Sequence, residues 1–214
     1  MRPQAFLPAI VLCLLLAPLP ARADVVVLQT SVTVTAGAGE LTATAQVANV
    51  GDAAAFDLIA RMALLDLRLA SPEQKELGVQ KSFSFLLHQE VPDLPRGSFP
   101  LVLLMEYTDE TGYPLSALHC GAFDTPGARP ARIEVQCEKA ELADNAAITA
   151  SVQNDSDRAL DITSTLYLPR EILSKERRNV FLVKPGERRS VTFDLKNLTA
   201  LPGSEHSVFV AFEY

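Results

Sequence analysis

The chain has 214 residues, of which 48% are hydrophobic and 21% charged, and its formal net charge is −7. This length allows one or two globular domains, and the composition excludes a disordered chain. The acidic balance and the lack of a basic stripe argue against binding to nucleic acid or to anionic lipid, because both carry negative charge.

The first 23 residues have the parts of an export signal. Arg2 is the positive start, residues 9–17 form a short apolar run, and Ala21-Arg22-Ala23 is a small-residue cleavage site before Asp24. Because the apolar run is too short to span a bilayer and prolines follow it, we expect a cleaved peptide and not an anchor. The mature protein is therefore predicted to lie in the periplasm, the cell envelope or the extracellular space.

Alternating apolar and polar residues begin directly after this signal. Residues 25–49 contain β-branched runs of period two, and Asn49 to Asp52 has the residues typical of a turn. Residues 56–69 predict a strand pair or one long strand. Gly78 is interpreted as the start of a further strand that runs to Leu86.

The next stretch holds the most apolar strand of this half. Residues 92–98 contain two prolines and a glycine and predict an irregular connection, after which residues 99–107 are almost continuously apolar. Residues 109–112 predict a hairpin turn, and residues 113–123 the partner strand. About seven short strands in about a hundred residues predict a two-sheet sandwich.

The same pattern occurs twice. Asn49 matches Asn154, Gly78 is aligned with Gly186, and Tyr107 matches Tyr214, each pair being about 105 residues apart. The sequence therefore predicts an all-β protein with two tandem immunoglobulin-like sandwich domains.

The second copy follows a linker with two prolines, which stiffen it. The predicted bounds are residues 24–125 for the first domain, 126–130 for the linker and 131–214 for the second domain. Predicted strands of the second copy cover residues 131–139, 146–154, 159–168, 179–183, 190–195 and 207–214. Residues 169–178 interrupt these strands and predict a short helical turn.

The two copies differ in how they end. The first continues past Tyr107 through a hairpin to a strand ending at Phe123, whereas the second stops at Tyr214. The second sandwich is thus predicted to lack its last strand and to expose an unpaired sheet edge. Either a downstream part of a longer chain or a strand from a partner would complete it, and the sequence favours the former.

The turn residues carry a resemblance. Asn49, Gly51 and Asp52, repeated as Asn154 and Asp157, together with the pattern at Gly186, Val191 and Phe193 and with Pro202-Gly203, resemble bacterial immunoglobulin-like modules of the CARDB and NPCBM-associated NEW3 type. The likeness covers most of both copies. Ser156 departs from it where the first copy has glycine. The resemblance implies a spacer, adhesion or carbohydrate-associated role, and it brings no catalytic residues.

Metal binding is not indicated. His88, His119 and His206 are isolated and lack ligand spacing. The acidic pairs Asp52 with Asp57 and Asp155 with Asp157 suit turns better than calcium, because no further ligands accompany them. We predict no metal and no cofactor.

Catalysis is not indicated either. No serine or cysteine lies in a nucleophile motif, and His119 and Cys120 are strand neighbours that point to opposite faces. Glu106 and Glu213 occupy equivalent positions, which the repeated fold explains better than a carboxylate pair. No catalytic residues are predicted.

Two cysteines remain after the signal. An exported protein permits a disulfide between Cys120 and Cys137, but the strands that carry them would have to approach closely, and the sequence favours two separate buried thiols.

The predicted function is that of an exported, non-catalytic structural and interaction protein, acting as a spacer or protein-docking arm at the front of a longer envelope protein. Its partner would be a protein or a downstream domain that completes the second sandwich, and a membrane would be reached only through a segment beyond this sequence. The alternative is a carbohydrate- or ligand-binding module that accompanies an enzyme. The lack of Trp and the presence of only four Tyr weigh against sugar stacking.

Overall fold

The computed structural model describes residues 25–37, 39–65, 67–92, 94–128, 132–201 and 204–214. The predicted signal peptide, the linker residues 129 and 130, and the Pro202-Gly203 pair lie outside these residues. Within them every regular element is a β-strand, which confirms the all-β fold class. None of the described residues forms a helix of the length and apolarity that crossing a membrane needs.

The first module contains two antiparallel sheets. One has the order β1-β2-β6, and the other has the order β4-β3-β7-β8, with β5 also pairing with β3. The strands are β1 (Leu28–Gly37), β2 (Glu40–Asn49), β3 (Ala55–Leu64), β4 (Leu67–Ala70), β5 (Gln74–Leu77), β6 (Ser82–Glu90), β7 (Ser98–Thr108) and β8 (Pro114–Asp124).

The second module repeats this plan. Its sheets have the orders β12-β14-β10-β9 and β13-β11-β15. The strands are β9 (Ile133–Cys137), β10 (Asn145–Asn154), β11 (Leu160–Tyr167), β12 (Ile172–Leu173), β13 (Arg178–Val183), β14 (Arg188–Asn197) and β15 (Phe209–Glu213). Each module is thus an immunoglobulin-like sandwich of two antiparallel sheets, as the strand pattern predicts.

The period-two pattern accounts for the cores. Along β2 the buried side chains alternate with more exposed ones, and the buried set faces β3 and β7 of the opposite sheet. The second module has two smaller clusters, one around Phe193 and Leu166 and the other around Val152 and Ile162. Neither cluster draws buried residues from the first module, so each module has its own core.

One buried asparagine organises the same turn in both modules. The Asn49 amide nitrogen donates to the carbonyls of Ala53 (2.7 Å) and Leu77 (3.1 Å), and its oxygen accepts from Gly51 N (3.1 Å). Asn154 makes the corresponding bonds to Arg158 O (2.7 Å), Val183 O (2.9 Å) and Ser156 N (2.9 Å). Both side chains are 0% exposed. The hydrogen bonds of this buried asparagine therefore stabilise the same turn in both modules.

The alignment of Gly78 with Gly186 is wrong by two residues. Gly186 N donates to Asn154 O, and the group that donates to Asn49 O is Gln80 N. Gln80 and Gly186 both have positive φ, at 57° and 72°. Gly78 occupies the place of Lys184, since each carbonyl accepts from the residue three positions on.

Two further local predictions change. The strand expected from Gly78 begins only at Ser82, because the preceding residues form the turn at Gln80. The helical turn expected at residues 169–178 is absent from that described stretch, which carries the short strand β12 paired with β14. Residues 56–69 form the predicted strand pair, β3 and β4.

Gly51 is needed because the chain passes very close to it. A Cβ atom there would lie 2.1 Å from Val25 O and 2.6 Å from Val27 N, both backbone atoms. We expect Gly51→Ala to lower the free energy of unfolding by about 2–3 kcal/mol, the cost of overpacking a site that cannot yield. Urea unfolding of the full chain measures this. Gly37→Ala is the matched control, since no atom lies within 4 Å of its Cβ position, and an equal loss there would refute the explanation.

Candidate functional site: the contact between the modules

A buried carboxylate joins the two modules. Glu171, which precedes β12, is only 1% exposed. Its Oε1 accepts a hydrogen bond from the backbone N of Ser116 on β8 (2.6 Å), and its Oε2 accepts one from Ser116 Oγ (2.7 Å). The Ser116 hydroxyl oxygen in turn accepts from Arg170 N (2.9 Å). We call Ser116, Arg170 and Glu171 the intermodule contact.

This contact also covers an exposed sheet edge. Among the described residues β8 is the terminal strand of its sheet, so its outward backbone N–H groups have no neighbouring strand there. The Glu171 carboxylate takes the place of such a neighbour at Ser116. A charge-assisted bond of this kind is stronger than a neutral one, and it saturates a carboxylate that would otherwise be costly to bury.

An ion-pair network borders the intermodule contact. Glu106 on β7 binds Arg61 Nε through Oε2 (2.6 Å) and Arg170 Nη1 through Oε1 (3.3 Å). Arg61 belongs to the first module, as Glu106 does, whereas Arg170 belongs to the second module. Both arginines are more than half exposed, so we expect each pair to contribute less than about 1 kcal/mol. The network orients Arg170 more than it adds stability.

Further hydrogen bonds hold the loop that presents Glu171. The Glu171 carbonyl accepts from Leu198 N (2.8 Å) and Thr199 N (3.3 Å). Tyr113, at the end of the first module's hairpin turn, donates its hydroxyl to Thr199 O (2.8 Å). The loop of residues 197–200 therefore binds both the backbone of Glu171 in its own module and Tyr113 of the first module.

The side chain of Tyr107 is buried near the Glu171 carboxylate. Burial, followed by the nearby negative charges of Glu171 and Asp109, raises the pKa of Tyr107 to about 12. All three causes disfavour the phenolate. Folding therefore favours the neutral phenol.

A pH dependence follows from this shift. Because the folded pKa of Tyr107 is raised, its contribution to stability is present below pH 10.0 and is lost as the pH rises towards 12. A shift of this size corresponds to about 3 kcal/mol. We expect Tyr107→Phe to reduce the loss of stability over that range, measured by urea unfolding at each pH. Tyr214→Phe, at the equivalent but exposed position, should retain the decline of the unaltered chain.

A groove lies between the modules on another side. Its volume is about 1460 Å³, and it is bounded by Leu101, Val102, Cys120 and Ala122 of the first module and by the whole of β15. Both β8 and β15 are terminal strands of their sheets. The groove thus presents strand edges on both walls.

The residues considered for metal binding are not brought together. His88 lies on β6 beside Thr42 Oγ1 (3.2 Å), His119 lies on β8, and His206 lies near Ser204 (2.9 Å). Within the described ranges no three His, Cys, Asp or Glu side chains are grouped as metal ligands.

The acidic turn residues have structural partners. Asp52 Oδ1 accepts from Val25 N (2.6 Å), and Asp155 Oδ1 accepts from Gln153 Nε2 (2.9 Å). Asp157 lies 3.9 Å from an Arg132 guanidinium nitrogen. Asp57 has a positive φ of 50° where β3 shifts register against β7. These contacts agree with the turn interpretation.

Cys120 and Cys137 are free thiols in the structure. Cys120 is partly buried on β8, and burial raises the pKa of its thiol to about 12. Cys137 is exposed on β9, although burial first and Glu138 second raise its pKa. Both thiols were predicted to be buried, but Cys137 is exposed.

Glu106 and Glu213 are not equivalent in their contacts. Glu106 carries the ion pairs to Arg61 and Arg170, whereas Glu213 lies at the exposed end of β15 beside Tyr167, whose pKa it helps to raise after burial. The shared position comes from the fold, and the use of Glu106 between modules is specific to the first copy.

Sequence reasoning missed the residues of the intermodule contact. Ser116 lies in a strand and Glu171 in the segment Leu-Pro-Arg-Glu-Ile-Leu, and neither has a local pattern that sets it apart. Apolar residues follow Glu171, but the charged Arg170 precedes it, so the local sequence contains no signal that this carboxylate is buried.

No protein-family model and no curated protein matches the chain. Solved structures that resemble it include red sea bream transglutaminase, with 15% identity over 87% of this chain and 29% of that chain, at a TM-score of 0.30. The native conformation of E. coli alpha-2-macroglobulin gives 9% identity, 86% and 16% coverage, and a TM-score of 0.31. Salmonella alpha-2-macroglobulin reacted with methylamine is 8% identical over 86% of this chain and 16% of that chain, at a TM-score of 0.31.

The chain spans less than a third of the length of each of these proteins. Such low TM-scores carry no argument about function. The resemblance to CARDB and NEW3 modules stays a prediction. What the fold and the site define is a protein of two sandwich modules joined by a buried, hydrogen-bonded carboxylate.

Proposed function

We propose that the chain is an exported structural and interaction protein whose two sandwich modules form one stiff spacer or docking arm. The observation that carries this proposal is the buried Glu171 carboxylate, which receives both of its strong hydrogen bonds from the other module. The export signal in the first 23 residues supports the location outside the cytoplasm.

The energetics favour a fixed angle between the modules. Modules that rotate freely about a linker would keep their facing side chains solvated, because a carboxylate is costly to bury without partners. Here Glu171 is enclosed, and separation of the modules would leave Ser116 N and the carboxylate to be solvated again. Tyr113 and the Arg170–Glu106 pair add contacts on the same side. A spacer that transmits position needs this rigidity.

A distance measurement between spin labels tests the proposal. One label is placed on the exposed Cys137 of the second module and the other on Ser84→Cys of the first, in a Cys120→Ala background. We expect a single narrow distance distribution for the chain from Asp24 onwards, which lacks Cys13. The double variant Glu171→Ala with Ser116→Ala should broaden it. A broad distribution in the chain with an intact contact would contradict the stiff arm.

Export is tested separately. Expression of the full chain in a bacterial host, followed by fractionation and mass spectrometry, should yield a mature protein that begins at Asp24. Retention of residues 1–23 on the purified protein would contradict the proposed cleavage.

A further inference from the structure

The strand β13 carries two exposed apolar side chains that the first module lacks. Val180 is 64% exposed and Leu182 is 45% exposed. The buried turn asparagine bonds to the last carbonyl of β5 in one module and to the last carbonyl of β13 in the other, which aligns these two strands. Val180 and Leu182 then correspond to Gln74 and Glu76. The apolar pair therefore belongs to the second module alone, and the repeated fold does not require it.

The same strand directs backbone groups to solvent. Among the described residues β13 is a terminal strand of its sheet, with β11 beside it. Leu166 N donates to Arg177 O (2.7 Å), the residue opposite it, so Arg177 faces β11. By the alternation of an antiparallel pair, the residues at 178, 180 and 182 direct their N–H and C=O groups away from β11. The Leu182 carbonyl agrees, since it accepts from the Arg189 side chain of the other sheet (2.8 Å) and retains a second lone pair.

These three outward residues form a set that is complementary to itself. Two copies of β13 can pair antiparallel about a two-fold axis through Val180. Val180 then lies opposite Val180, and Arg178 lies opposite Leu182 of the other copy, so every outward N–H and C=O of the set has a partner. Moving the axis by one residue in either direction places one of the three opposite a residue outside β13. The backbone thus favours one symmetric register.

Charge favours the same register. Arg178 and Asp161 are both exposed, and within the described ranges neither forms a salt bridge. Asp161 lies opposite Leu182 on β11, and opposite residues share a face of the sheet. In the symmetric pair, Arg178 of the second copy flanks Leu182 on its other side. The two backbones are then about 10 Å apart, a span that the two side chains can bridge. A second copy therefore brings a cation to each unpaired acid.

We infer that the edge of β13 binds a second copy of this chain, which forms a symmetric dimer with one continuous sheet. Main-chain hydrogen bonds and the burial of Val180 and Leu182 supply the affinity. The exposed pairs between Arg178 and Asp161 fix the register and add little energy. Because one strand and its side chains bury a small area, the dissociation constant is expected to be about 10–500 µM. The dimer goes beyond the proposed function, since it depends on neither export nor the angle between modules.

Sedimentation equilibrium of the chain from Asp24 onwards measures the association. A reductant is present, so that the exposed Cys137 forms no disulfide. We expect a monomer–dimer equilibrium that Val180→Lys weakens by at least about tenfold, because two lysines would meet at the axis of an edge-strand pair. Val135→Lys is the matched control. It makes the same change at a half-exposed valine on β9, the edge strand of the other sheet, and should alter the dissociation constant by less than about twofold.

Two charge-reversal variants form a second matched pair. Arg178→Asp and Asp161→Arg each bring like charges together in a dimer of that variant, and each should weaken association by at least about fivefold. An equimolar mixture of the two should regain an affinity within about threefold of the unaltered chain, because the mixed dimer contains only opposite-charge pairs. A fluorophore on Cys137 of one variant, in a Cys120→Ala background, reports the mixed dimer by anisotropy. Urea unfolding of each variant shows that it is folded.

Three results would overturn the inference. These are a chain that stays monomeric at about 1 mM, a dimer that Val180→Lys and Val135→Lys weaken equally, and charge variants whose mixture associates no better than either variant alone. The spin-label distance is measured within one chain and is independent of all three. A narrow distance distribution in a monomeric chain would keep the stiff spacer and refute the dimer.

Discussion

Replacing Asn154 with alanine is expected to lower the free energy of unfolding of the second module by about 2–4 kcal/mol. The side chain is fully buried and donates to Arg158 O and Val183 O while it accepts from Ser156 N. Alanine would remove the side-chain donor from both carbonyls and the acceptor from Ser156 N, and Arg158 O keeps a further donor, the Ser156 hydroxyl (3.0 Å). Urea unfolding of the full chain measures the loss, and amide exchange of β10 and β14 locates it in the second module.

Controls separate the hydrogen bonds from the loss of a side chain. Asn145→Ala removes an exposed asparagine from the other end of the same strand, and should change stability by less than about 0.5 kcal/mol. Asn49→Ala should repeat the loss in the first module, because the same three bonds are made there. If Asn154→Ala behaved like Asn145→Ala, the asparagine would not be the organiser of the turn.

The elements that could be predicted from the sequence depend on local chemistry. Alternation along β2 and the Gly112 turn after β7 are properties of a few adjacent residues, and the structure has both. The turn from Lys184 to Glu187, which connects β13 of one sheet to β14 of the other, follows in the same way from Pro-Gly. The two-sheet fold was predictable because the alternation of apolar and polar residues along a strand indicates which face is buried.

The sequence predictions failed where a residue adopts a backbone conformation that its type usually avoids. Gln80 adopts positive φ, where glycine is expected, because the Asn49 turn requires a left-handed residue there. Sequence alignment therefore matched Gly186 to the nearest glycine, Gly78, and shifted the register by two residues. The sequence pattern pointed to Gly78, whereas the hydrogen bond to the Asn49 carbonyl is made by Gln80.

The intermodule contact could not be predicted for a different reason. Glu171 and Ser116 are 55 residues apart, and they belong to different modules. A single sequence records neither the angle between modules nor which loop will meet which strand edge. Glu171 stands beside Arg170 in a loop with several charged residues, so its sequence context did not indicate a partner in the other module.

Truncating Glu171 to alanine is expected to lower the free energy of unfolding by about 2–4 kcal/mol, and to make the two modules unfold in separate transitions. The substitution removes both acceptors of Ser116, so its N–H and hydroxyl lose their bonds at a buried edge. Glu171→Gln should cost less, since its carbonyl oxygen can still accept from Ser116 N. Differential scanning calorimetry of the full chain distinguishes one coupled transition from two.

A double-mutant cycle shows whether this loss comes from the bond between modules. Ser116→Ala and Glu171→Ala should be strongly non-additive, with a coupling free energy of about 1–3 kcal/mol, because each removes the same interaction. Glu176→Ala, an exposed acid in the same loop, should be neutral. Additive losses at Ser116 and Glu171 would mean that the carboxylate stabilises its own loop alone. Only the Tyr113 hydrogen bond and the Arg170–Glu106 pair would then hold the modules at one angle, and the stiff arm would lose its main support.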